Sequence, residues 1–105
     1  MKILAVGDIV GKTGVQSLKS NLPKIITDNK IDFVIVNGEN AADGMGLTEK
    51  LYKEILGCKV DVVTMGNHTW AKKDIFGFID DQQIIRPANY PSNNPGKGYR
   101  IFKCK

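Results

Sequence analysis

The stretch Phe33-Val-Ile-Val-Asn-Gly-Glu-Asn-Ala-Ala-Asp-Gly-Met-Gly-Leu-Thr48 decides the fold. Its first five residues, Phe33 to Asn37, form a β-branched run bounded by Asp32 and Gly38, which reads as a buried strand. A glycine-containing loop follows. Thr48 is then placed to cap a helix whose buried face is Leu51, Tyr52, Ile55 and Leu56. Leu47 and Tyr52 flank the cap as a hydrophobic staple, and Gly57 fits the stop.

The same unit recurs on either side. Upstream, Lys2 to Gly7 is a short apolar run closed by glycine, and Val15, Leu18, Leu22, Ile25 and Ile26 follow at helical spacing. Pro23 falls inside that pattern, where loss of a backbone donor predicts a kink or restart. Downstream, Val60 to Met65 is a third strand, leading through Gly66 into a helix that carries Ile75, Phe78 and Ile79. Ile84 and Ile85 read as a short buried strand, Pro91 to Gly98 as a loop, and Tyr99 to Cys104 has strand propensity. Strands alternating with helices predict an α/β fold, a mostly parallel sheet with helices on both faces, as one domain over residues 1–105.

Composition narrows the class without naming a function. The 105 residues are 42% hydrophobic and 25% charged, values of a small globular domain and not of a disordered or fibrous chain. A domain this small buries a modest core, which leaves room for self-association or a missing segment. Fifteen basic residues against 11 acidic ones give +4, with the lysines scattered from Lys2 to Lys105. No basic stripe interleaved with aromatics marks a dedicated nucleic-acid surface. Cys58 and Cys104 follow no CxxC spacing, the first residues read as a strand and not as a leader, and no apolar run approaches a membrane span. A reduced, cytoplasmic protein is the expectation.

In open α/β sheets ligands bind beyond the carboxyl ends of the strands. Those ends here are Gly7-Asp8, Gly38-Glu39-Asn40 and Gly66-Asn67-His68. Each is a glycine followed by oxygen or nitrogen ligands. Asp8, Asn40 and Asn67 can each be explained alone as helix caps or turn residues, but three glycine-led groups in register with three strands point to one crevice. Asp8 and Glu39 would repel each other there, and divalent cations resolve that conflict. Two metals roughly 3.5–4 Å apart can share a bridging carboxylate and a hydroxide that attacks phosphorus in line. Glu39, on the central strand, suits the bridge. His68, the one histidine, can protonate a leaving oxygen or stabilise phosphoryl charge.

The segments Gly7 to Gly11 (GDIVG), Asn37 to Lys50 (NGENAADGMGLTEK), Thr64 to Trp70 (TMGNHTW) and Arg86 to Gly98 (RPANYPSNNPGKG) resemble the calcineurin-like metallophosphoesterases, and within them the YmdB-like bacterial family. The likeness spans essentially the whole chain. GNH is shared across the superfamily, whereas GENA and GNHTW are closer to diagnostic of the subfamily. Val10 stands where the superfamily has a histidine, Glu39 where it has an aspartate, and Thr69 where it has an acidic residue. All three departures match the subfamily. The resemblance implies that Asp8, Glu39 and Asn40 hold one metal, Glu39 and Asn67 a second, and that His68 donates a proton. It further implies iron, with manganese able to substitute, and phosphodiester substrates among cyclic nucleotides, 2′,3′-cyclic or 3′,5′-cyclic. Members are more than twice this length and draw further histidine ligands from later segments, so the chain is expected to be the N-terminal half of the family's sandwich fold.

Two other classes remain. A truncated, non-catalytic binding module keeps the scaffold without the reaction. A P-loop is approached by Gly7 to Thr13, but with Gly11-Lys12-Thr13 aligned the leading glycine falls on Val6. Trp70 and Phe76 can line a base-binding wall or cover a core edge, and Arg86 can clamp phosphate or pair with Asp80 or Asp81.

Overall fold

A computed structural model describes residues 1–104. Strand β1 (Ile3–Val6) leads to helix α1 (Gly11–Asn29), strand β2 (Phe33–Asn37), helix α2 (Glu49–Leu56), strand β3 (Val62–Thr64), a 3-10 helix at Lys73–Gly77 and strand β4 (Ile84–Ile85). All four strands are parallel, in the order β1-β2-β3-β4. Ile3 pairs with Phe33, Ile35 with Val62 and Val63 with Ile84.

The strand order corrects one expectation. When every right-handed crossover steps the same way along a sheet, its connections fall on one face, not both. Accordingly α1 and α2 lie side by side, joined by a Lys19–Glu54 ion pair at 3.2 Å. Val34, Val36 and Val63 point into the helical layer and meet Leu18, Leu22, Tyr52 and Ile55 in the core. Burying each such aliphatic side chain contributes about 1.5–3 kcal/mol. The opposite face carries Ile3, Phe33 and Ile35, and Phe102 crosses it with its ring 5.4 Å from that of Phe33.

Local chemistry explains the boundaries. Thr48 caps α2, its Oγ1 accepting from Leu51 N–H at 3.3 Å. Gly57 closes α2 in a right-handed conformation, and Lys59 (φ 70) makes the reversal. α1 runs unbroken through Pro23 and ends on Lys30 in the left-handed region, where Lys30 and Ile31 N–H return to Thr27 and Ile26 carbonyls. The third helix is only a 3-10 turn, with Ile79 N–H bonding back to Ile75. Tyr99 to Cys104 is not a strand: Arg100 donates to the Ile84 and Asp80 carbonyls, so side chains hold this segment where the sequence predicts a ladder. No helix among the described residues is long and apolar enough to cross a membrane.

Candidate metal centre

Parallel pairing brings the ends of β1, β2 and β3 to one edge, where the three glycine-led groups face each other. Backbone bonds lock them together. Ile9 N–H reaches Asn37 O at 3.3 Å, and Gly11 N–H reaches Asn40 O at 2.9 Å. Gly11 therefore spends its amide on Asn40, and Gly14 spends its own on Val10, so the segment does not form a phosphate-cradling P-loop.

None of the three candidate caps is a cap. The N-cap position is Val10 for α1, Thr48 for α2 and Lys72 for the 3-10 helix. Instead, the side chains of Asp8 and Asn40 bond to each other. Asn40 Nδ2 donates to both oxygens of Asp8, each at 2.9 Å, and Asn40 Oδ1 meets His68 Nδ1 in a short contact. Glu39 Oε2 accepts from His68 N–H at 3.1 Å and lies 3.8 Å from His68 Nδ1. Glu39 Oε1 accepts from Asn37 Nδ2 at 3.3 Å. Asp8, Asn40, His68 and Glu39 thus form one continuous polar chain across three strand ends. Asn67, next to His68, is exposed.

Two glycines make the arrangement possible. Gly66 presses so closely on Glu39 that a Cβ there would sit 2.6 Å from the carboxyl carbon. Gly46, at φ 89, folds the loop after Asn40 back so that its N–H reaches Glu39 O, with Lys72 and Ala71 against it. The Gly66 carbonyl in turn accepts from Thr69 N–H at 3.1 Å, Thr69 Oγ1 at 2.5 Å and Tyr90 Oη at 3.1 Å. Thr69, one of the three positions at which the sequence departs from the superfamily pattern, is fully buried in this role. Tyr90 and Asn37 escape sequence reasoning. Both lie in segments that carry the family resemblance, but nothing in the sequence points to the partner of the Tyr90 hydroxyl, whereas Asn37 ends β2 just before Gly-Glu and is visible in retrospect.

Arg86 neither clamps an exposed ligand nor pairs with Asp80 or Asp81. It is buried, and its guanidinium donates to carbonyls of Pro95, Pro87, Pro91 and Asn94, pinning the loop that follows β4.

As a set, two carboxylates and two carboxamides suit a hard or borderline cation. The fit is that of part of a shell. Among the described residues no three His, Cys, Asp or Glu side chains gather into a metal cluster. Asn40 also aims its amide nitrogen at Asp8, so its oxygen reaches a cation there only after the carboxamide turns over.

Residues 4–105 match the family described as YmdB-like protein. The chain is 52% identical over 105 residues to a Bacillus subtilis 2′,3′-cyclic-nucleotide 2′-phosphodiesterase, covering 99% of this chain and 40% of that protein. A crystal structure of a hypothetical protein from Thermus thermophilus superposes with a TM-score of 0.91 at 37% identity, over 98% of this chain and 40% of the other. A Mycoplasma pneumoniae phosphatase gives 0.91 at 36% identity, over 98% and 38%. The chain therefore spans about 40% of the length of these relatives.

Proposed function

The chain belongs to the YmdB-like family, and from that premise we propose that it contributes one wall of a two-metal phosphodiesterase centre acting on cyclic nucleotides. The observation that supports this reading is the polar chain from Asp8 through Asn40 and His68 to Glu39, made by residues that cap nothing. In this reading Asp8, Glu39 and Asn40 hold one cation, and Glu39 and Asn67 the other, with iron or manganese as the occupants. Such cations supply positive charge to the phosphoryl oxygens and lower the pKa of water.

The chain's own residues do the rest. Glu39 is oriented by His68 N–H and Asn37 Nδ2 before any ligand arrives, so little reorganisation is needed on binding. His68 is held on its Nδ1 side by Asn40, and its imidazole can pass a proton to the departing ribose oxygen. Loop 40–46, closed by the Met45–Ala42 and Gly46–Glu39 backbone bonds, holds Asn40 against the strand ends.

The test is metal titration by calorimetry together with hydrolysis of adenosine 2′,3′-cyclic monophosphate. Manganese or iron should bind, and Asp8→Asn and Glu39→Gln should each abolish that binding. Metal affinity unchanged in both variants would sink the proposal.

A second reading is favoured by one observation, the partial ligand shell. Under it the chain binds metal and nucleotide weakly and does not turn over. Binding with no hydrolysis at any metal concentration selects this reading, and metal-dependent hydrolysis excludes it.

A further inference from the structure

We infer that Trp70 and Phe76 form a platform on which the nucleobase of the substrate stacks, with Tyr90 tying that platform to the phosphodiester site; the inference rests on the function proposed above. Trp70 lies in the same tight turn as His68, closed by Ala71 N–H to His68 O at 3.1 Å. Two peptide units keep the Cα atoms of His68 and Trp70 within about 7.6 Å. Trp70 is thereby kept beside the residue proposed as proton donor.

The rings are arranged as an open stack. Trp70 and Phe76 are nearly parallel, at 4° with centroids 5.4 Å apart. With carbon atoms in contact at about 3.5–4 Å, this separation means the rings are displaced sideways and leave part of each face uncovered. Phe76 is 55% exposed although it belongs to the stack. Tyr90 stands on Trp70 at 6.2 Å and 31°, and its hydroxyl donates to the Gly66 carbonyl, on the glycine that abuts Glu39. The stack is thus tied through the Gly66 carbonyl to the residue packed against Glu39, and its Phe76 end is exposed.

Trp70 packs against the core that Ile75 and Ile79 fill, whereas the Phe76 ring is left largely outside it. That ring offers a π face to a planar ligand, and such faces accept any base because every base has one. The predicted ligand is a nucleoside phosphate, recognised by its base plane with little discrimination among bases.

The manganese-loaded full chain is titrated calorimetrically with adenosine 3′-monophosphate and with ribose 5-phosphate, which has a phosphate and no base. The base should tighten binding by at least about tenfold, at the lower end of what stacking contributes. Because Trp70 is the one tryptophan, its fluorescence should be quenched by the adenosine ligand and not by ribose 5-phosphate. Phe76→Ala, at an exposed position, should fold and close most of the gap while leaving ribose 5-phosphate affinity unchanged. Trp70→Phe should keep most of the gap. Metal-dependent binding of both ligands with equal affinity, or a gap untouched by Phe76→Ala, overturns the platform while leaving the metal-centre reading intact. No metal-dependent binding of either ligand overturns both.

Discussion

Gly66 and Glu39 are packed so tightly that position 66 has no room for a side chain: a Cβ would lie 2.6 Å from the Glu39 carboxyl carbon and 2.7 Å from Oε2. The obstructing atoms are the end of a flexible side chain, so Gly66→Ala should displace the carboxylate without unfolding the protein. We expect a stability loss of about 1 kcal/mol, the lower end of overpacking costs, together with a much larger fall in metal affinity. Thermal denaturation and metal titration of one preparation separate the two. A variant that binds manganese like the parent would show that Glu39 is not positioned by this contact.

Arg86 sits in a cage of backbone carbonyls from Pro87, Pro91, Asn94 and Pro95, and among the described residues no carboxylate pairs with it. Arg86→Met keeps the stem and removes every donor. Hydrogen bonds to a charged group contribute about 1.5–3 kcal/mol, and the carbonyls can recover part of this by turning to water. A loss of about 3 kcal/mol is expected in denaturant melts, with new proteolytic cleavage in the loop between Pro87 and Lys97. Stability close to the parent's would mean the loop holds itself.

The parts of this molecule legible in its sequence are those whose chemistry is local. Thr48 announces its cap because a hydroxyl before an amphipathic run has few other uses, and it bonds Leu51 N–H as expected. Asp8, Asn40 and His68 are visible as a group because strand ends in a parallel sheet must converge, whatever the details of packing. Lys30 is not legible as a left-handed helix stop, since lysine carries no conformational signal and the reversal depends on Ile31 returning to Ile26. Nor is the placement of the helices on a single face, because strand order is a property of the whole sheet. Tyr90 contributes through a hydroxyl that reaches 24 residues back to Gly66, a distance over which no motif operates.

Tyr52 gives stability a pH dependence with a definite sign. Burial first, then the hydrogen bond to the Asp81 carboxylate at 2.6 Å and the charge of that carboxylate, push the phenol well above its ordinary 10.0, against weaker opposition from the Gln83 backbone and Arg100. Below about pH 10 both folded and unfolded tyrosine are protonated, and the contribution is constant. As pH rises past about 10 the unfolded chain releases its proton while the folded chain keeps it, so the unfolded state binds fewer protons and stability falls. Tyr52→Phe should cost about 1.5 kcal/mol near neutral pH through the lost bond to a charged partner. It should also flatten the decline between about pH 9.5 and 11 relative to the parent, as read from urea midpoints. Parallel declines in the two proteins would assign the effect to other groups.

Asn40 presents its nitrogen to Asp8 and its oxygen to His68, the reverse of what a cation beside Asp8 requires. Asn40→Asp replaces that donor with an oxygen of the same shape. Without metal, two carboxylates then face each other where one amide had satisfied both Asp8 oxygens. At about 4 Å and near-aqueous screening, the repulsion costs on the order of 1 kcal/mol in addition to the lost hydrogen bonds. With manganese the added charge becomes an advantage, because no carboxamide has to turn over. The melting temperature of Asn40→Asp should therefore lie below the parent's in chelator and gain more than the parent's on adding manganese. A smaller gain than the parent's would place the cation away from Asp8 and Asn40, and with it would go the assignment of this pair as metal ligands.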